Sequence, residues 1–183
     1  MTTYDIEMDL RPNLTANERF VWVGKPKTGI MLRSSDAFLI PFSIFWAGFA
    51  IFWEATAVGT GAPFFFKLSG LPFVCVGLYI TIGRFFIDAK KRGNTLYGIT
   101  NDRIIIKSGI FSQEVKSLNI RSISDISFNQ KKDNSGTIML GPTDARLNMM
   151  QGIDWPGVKQ QNSLEFIDDV KTVYDKIIAL QRP

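Results

Sequence analysis

A chain of 183 residues with no histidine and one cysteine has room for one small domain and little scope for metal or nucleophile chemistry. Zinc sites built from His and Cys, Ser-His-Asp triads, Cys-His pairs and an intrachain disulfide are all excluded. The net charge of +4 is mild and gathers beside two apolar runs, so no nucleic-acid surface is expected.

Residues 1–36 have ordinary polar composition and read as an N-terminal segment lying outside the membrane. The first apolar run, Ala37 to Trp53, is uncharged and rich in Phe, Leu and Ile. At about −0.3 to −0.6 kcal/mol each, those side chains favour insertion by roughly 3–5 kcal/mol. Extended through Glu54 to Val58, it gives a first transmembrane helix over 37–58, close to the ~20 residues a bilayer needs. Pro41 falls near the first turn, where its missing N–H does least harm. The run starts too far into the chain for a cleaved leader. A water-soluble helix would need a polar stripe, and this one is apolar on every face.

The second run, Phe64 to Ile87, predicts a second transmembrane helix over 64–87. Lys67 and Arg84 lie about one turn inside its ends, where long basic side chains snorkel to the headgroups. Gly70, Val74, Gly77 and Thr81 share one helical face, and Ser43, Ala47 and Ala50 share one on the first helix. Small residues permit close helix approach, so these stripes are expected to meet. Cys75 reads as a packing residue of this run. Arg11, Arg19, Lys25, Lys27 and Arg33 precede the hairpin, and Arg84, Lys90, Lys91 and Arg92 close it. The connecting turn offers only Lys67, so both termini are expected to be cytoplasmic.

From Thr95 the pattern changes to short β-branched runs. Thr95–Ile99 and Arg103–Lys107 flank a Thr100-Asn101-Asp102 turn, and Ser108-Gly109 then breaks the second strand. Ile110 to Ile120 resumes, with Phe111, Val115 and Leu118 as candidate buried positions. Ile123–Phe128 alternates as a half-buried strand. Lys131–Gly136 is a polar turn before a strand over Thr137–Leu140. Arg146–Met150 and Ile153–Trp155 offer one or two more strands. Leu164, Ile167, Val170, Tyr174 and Ile177 form one apolar stripe, predicting a closing helix, with Asn162 and Glu165 at capping-box spacing. The fold class is therefore α+β: a two-helix transmembrane hairpin, then an antiparallel β-barrel or sandwich over 93–183 with a C-terminal helix.

Leu96-Tyr97-Gly98-Ile99-Thr100-Asn101-Asp102-Arg103-Ile104-Ile105-Ile106, followed by Gly109, resembles the opening of bacterial pleckstrin-homology (PH-like) domains of small membrane proteins. Ile123, Ile126, Gly136-Thr137-Ile138 and Gly141 resemble the next part of that pattern. Glu18-Arg19-Phe20-Val21-Trp22-Val23-Gly24-Lys25-Pro26 is similar to the lead-in of such proteins. The resemblance implies a seven-strand PH-like fold with a C-terminal helix, displayed on the cytoplasmic face, in a bacterial inner membrane. The Lys-x(n)-Lys/Arg-x-Arg run of phosphoinositide-binding PH domains is missing, with only Arg103 and Lys107 near that place, so no specific phosphoinositide site is expected.

Lys90, Lys91 and Arg92 are candidate anionic-lipid contacts at about 1 kcal/mol per residue, and equally a topology signal. Lys131 and Lys132 are a candidate partner-facing loop, and equally a solvated turn. Arg84 and Asp88 have i, i+4 spacing for an ion pair along the emerging helix. No catalytic, cofactor-binding or metal-ligating residue is identified. The expectation is a non-enzymatic scaffold that sits in the lipid bilayer, needs no cofactor, and holds a protein partner or copies of itself. A small transporter or ion-conducting oligomer assembled by its PH-like domains is the alternative, resting on Glu54 and Arg84 at the membrane margins.

Overall fold

The computed structural model describes residues 2–33, 36–142 and 162–182. They form two units, a β domain and a helical hairpin, and the hairpin is inserted in the chain between the first two strands of the domain.

The domain begins with helix α1 (Thr3–Leu10), opened by a capping box in which Thr2 and Asp5 satisfy each other's backbone N–H groups. Strands β1 (Phe20–Gly24), β2 (Leu96–Thr100), β3 (Arg103–Ser108) and β4 (Glu114–Asn119) form one antiparallel sheet in that order. Strands β5 (Ile126–Gln130), β6 (Gly136–Leu140) and β7 (Ser163–Ile167) form a second. The last helix of the domain is Val170–Gln181.

The run Ile104-Ile105-Ile106 is explained by a sheet covered on both faces. Ile104 and Ile106 join Tyr97, Ile99, Ile138, Leu164, Ile167, Val173 and Ile177 in the main core between the sheets and the last helix. Ile105 points the other way, into a smaller core with Leu96, Ile6 and Leu10. Gly98 makes this second layer feasible: a Cβ there would meet the Phe20 ring at 2.8 Å and Leu10 at 3.1 Å.

Three sequence expectations shift. The apolar stripe from Leu164 to Ile177 is not one helix. Leu164 and Ile167 are buried from β7, where Leu164 pairs with Ile138, and the helix starts only at Val170 after Asp169 in a left-handed conformation. Pairing with a buried strand overrides the 3.6-residue spacing. Phe111 and Val115 are not buried positions: Phe111 is fully exposed in a loop ahead of β4, and Val115 is exposed on β4 itself. Arg146–Met150 and Ile153–Trp155 lie outside the described residues. The N-terminal segment also reaches further than the sequence suggests, because Phe20–Gly24 pairs with β2 in the same sheet.

The hairpin comprises α2 (Asp36–Gly59) and a 30-residue helical run, Phe64–Gly93, made of α3 (Phe64–Leu78), one π-turn (Tyr79–Gly83) and α4 (Arg84–Gly93). Both helices are long and apolar enough to cross a membrane. The small stripes meet as expected: Ser43, Ala47, Ala50, Gly70 and Gly77 are buried, and a Cβ on Gly77 would lie 3.0 Å from the Ala47 Cα. Thr81 Oγ1 hydrogen-bonds across to the Ser43 carbonyl at 3.2 Å. Cys75 is exposed.

Candidate functional site

The most distinctive motif of the sequence proves to be a fastening. Arg103 donates from Nε and Nη2 to the two carboxylate oxygens of Glu18, at 2.7 and 2.8 Å. Its Nη2 also reaches the Asn13 carbonyl. The Arg19 N–H donates to Asn101 Oδ1, and the Tyr97 hydroxyl accepts from the Glu165 N–H. Thr100 Oγ1, fully buried, accepts from the N–H groups of Asp102 and Arg103. The Tyr-x-Ile-Thr-Asn-x-Arg run thus clamps the β2–β3 turn to the segment ahead of β1.

The Glu18 carboxylate is almost fully covered, and the hydrogen bonds from Arg103 hold its pKa at about 2, below its ordinary 4.5. A carboxylate depressed in the folded state stabilises above its unfolded pKa, and that contribution is lost as pH falls from about 4.5 through about 2. Glu18→Gln is expected to destabilise the domain by about 1.5–3 kcal/mol at neutral pH. Its melting temperature should converge on the wild type's only as pH falls to about 2, whereas a constant gap down to that pH would show that the ion pair is not the source.

The two basic runs read from the sequence converge on one ring. Arg92 is buried, with its guanidinium 5.2 Å from the centroid of Phe166 and donating to the Gly29 carbonyl at 2.7 Å. Lys131 Nζ lies 4.7 Å from the same centroid. Phe166 is held in a left-handed conformation (φ 50°), and its carbonyl accepts from the Lys27 N–H at 2.8 Å. Lys27 Nζ pairs with Asp133 at 2.8 Å and Asp168 at 3.2 Å. These bonds raise the Lys27 pKa and hold the Asp133 carboxyl well below the usual range.

Residues just before the apolar insert (Lys27, Gly29) and just after it (Arg92) are therefore tied to one position of β7. Arg92 is a structural cation here, enclosed rather than presented to a headgroup. Lys90 and Lys132 are exposed and Lys91 is half-buried. Sequence reading could not find Lys27 or Phe166, because their partners lie far along the chain.

A cleft of about 400 Å³ lies at one end of the domain, lined by Asp9, Asn94, Lys107, Gly109, Phe111 and Gln113 among others. Lys107 Nζ reaches the Asp9 carbonyl at 3.3 Å, and Asn94 Nδ2 donates to the Gly109 carbonyl at 3.1 Å. No group of three or more His, Cys, Asp or Glu side chains able to hold a metal occurs among the described residues.

Within the hairpin, Arg84 and Asp88 each bond a residue at the start of the other arm, Asp36 and Arg33, and not only along their own helix as their i, i+4 spacing suggests. Arg84 Nη1 bonds Asp36 at 2.8 Å with both side chains about 95 % buried, and Arg33 grips Asp88 through both terminal nitrogens at 2.8 and 3.0 Å. The Arg84 guanidinium also lies 4.5 Å from the centroid of the Phe85 ring. Glu54 lies against Gly70, with one carboxylate oxygen buried and unbonded.

A family model described as "Bacterial PH domain" matches residues 39–172. The crystal structure of a DUF1696 family protein with a pleckstrin-homology domain from Shewanella loihica PV-4 is similar over 99 % of this chain and 98 % of that one. The two share 9 % sequence identity, with a TM-score of 0.40. No curated protein matches the chain.

Proposed function

Because the chain belongs to the bacterial PH domain family, we propose that it is a membrane-anchored, non-enzymatic PH module. The hairpin crosses the inner membrane, and the β domain holds a protein partner or further copies of itself at the cytoplasmic face. One observation carries this reading: the hairpin interrupts the domain between β1 and β2, which are neighbouring antiparallel strands. Both ends of the insert start from one sheet, so an even number of crossings is required. Two helices supply it.

The hairpin's surface supports a lipid environment. Phe45, Phe52, Phe64 and Phe65 are each more than two-thirds exposed, far more apolar surface than a soluble monomer presents to water. The Lys and Arg residues flanking the insert favour the cytoplasmic side for its ends. For the partner, β4 and β5 lie at sheet edges with mostly exposed side chains. An edge strand offers unpaired N–H and C=O groups for strand addition.

Tags at the two termini are expected to be digested in inverted membrane vesicles and protected in sealed, right-side-out ones. In-membrane cross-linking through Cys introduced on β4 should yield one discrete adduct, of this chain or another protein. Termini on opposite sides would refute the anchoring, and a chain that never cross-links would refute the scaffold role.

A further inference from the structure

We propose that the Gly109–Gln113 loop is a second membrane contact, with Phe111 entering the headgroup layer of an anionic bilayer. This rests on the reading that the hairpin spans that bilayer. Phe111 is fully exposed, which no other large apolar side chain of the described β domain approaches except Tyr4 on α1. A lone exposed apolar residue means little by itself. Three further features single this one out.

The loop is built to hold its tip. Gly109 adopts φ +149°, and a Cβ there would run into the Ser112 carbonyl oxygen, so the tight turn demands glycine. The Asn94 side chain pins the Gly109 carbonyl from the other side. Phe111 is thus presented by a fixed turn.

The stretch Ser108-Gly109-Ile110-Phe111-Ser112-Gln113 contains no charge, and Lys107 and Lys116 stand on either side of it. Glu114 is paired with Lys116 at 3.7 Å. An aromatic beside an isoleucine in an uncharged stretch, flanked by lysines, suits an interface whose depth is apolar and whose rim is anionic.

The anchoring point is also close to lipid along the chain. Asn94 follows directly on α4, whose last turn carries Lys90 and Lys91, and Ile87 ends the apolar run seven residues earlier. At 1.5 Å per residue that is about 10 Å of helix. The headgroup layer is itself about 5–8 Å thick on each side. The loop's anchor at Asn94 therefore follows the apolar run by about two helical turns of chain.

The test uses the full-length protein in phosphatidylcholine–phosphatidylglycerol vesicles. One sample carries an environment-sensitive fluorophore on native Cys75, which faces outward from the hairpin. The other carries it on Phe111→Cys in a Cys75→Ala background. The Cys75 probe should be quenched by nitroxides deep in the acyl chains. The probe at 111 should shift to the blue and be quenched most by nitroxides near the headgroups, less so when phosphatidylglycerol is omitted. Water-like, unquenched emission at 111 beside a quenched Cys75 would overturn the loop contact while leaving the anchor intact. An unquenched Cys75 would overturn the anchor and the contact together. A blue shift at 111 that lipid nitroxides do not quench would assign the loop to a protein surface instead, and so overturn the proposal.

Discussion

A fragment comprising residues 93–183 alone is expected to be insoluble or to lack a cooperative unfolding transition. Leu96 and Ile105 are 5 % and 1 % exposed because α1 and β1 cover them, with Ile6, Leu10, Phe20 and Val23 packed on that face. Uncovering two such side chains costs about 3–6 kcal/mol at 1.5–3 kcal/mol each, against a total stability of about 5–15 kcal/mol for a small domain. The cut also strips β2 of its partner at four paired positions, leaving a new edge beside the exposed apolar patch. Glu18 goes too, so Arg103 loses its carboxylate. Residues 1–29 joined to 89–183 by a short Gly/Ser linker should restore a cooperative melt, because Gly29 and Arg92 are already hydrogen-bonded. If 93–183 melts as sharply as the joined chain, the N-terminal layer contributes little and the two-layer account of β2 and β3 fails.

The second large effect belongs to the hairpin. Arg84→Ala is expected to loosen it by about 3–5 kcal/mol, since it strands the Asp36 carboxylate in a buried position. A double variant, Arg84→Gln with Asp36→Asn, should recover most of that loss, because no unpaired charge is then left behind. The readout is the SDS fraction at which the two helices separate in mild detergent, followed by energy transfer between their ends. Equal midpoints for wild type and Arg84→Ala would show that the pair does not hold the helices together. A double variant as weak as the single one would point to lost packing on Phe85 instead, since the guanidinium also covers that ring.

What the sequence showed plainly were the features written in local pattern. Two long apolar runs became two long helices, and the small-residue stripes on them met. Ile104-Ile105-Ile106 and the Asn101-Asp102 turn became a hairpin of strands. What stayed hidden were pairings between residues separated by the insert. Phe20–Gly24 has strand composition, but its partner lies beyond the whole hairpin, so nothing nearby announces it. Ser163–Ile167 carries helical spacing and is a strand, because Ile138 and Met139 were waiting beside it.

The candidate site divides in the same way. The cations were visible and their burial was not. Lys90, Lys91 and Arg92 are adjacent in sequence, yet they run from exposed through half-buried to fully enclosed as the helix turns. Only the fold shows that Arg92 belongs to the Phe166 ring. Gly98 was a signal that could have been read further: a glycine inside an otherwise bulky strand marks a place where something lies close above.

The insertion of the hairpin between β1 and β2 carries a consequence for synthesis. Phe20–Gly24 leaves the ribosome on the order of seventy residues before its partner strand. At roughly 5–20 residues per second it must wait several seconds without an edge to join. Under the proposed topology, a chain that threads only one of its helices places the two strands on opposite sides of the bilayer, where no sheet can close. Completion of the domain would then certify that the hairpin has gone in correctly, and a mis-threaded copy would be left with raw edges for proteases to recognise.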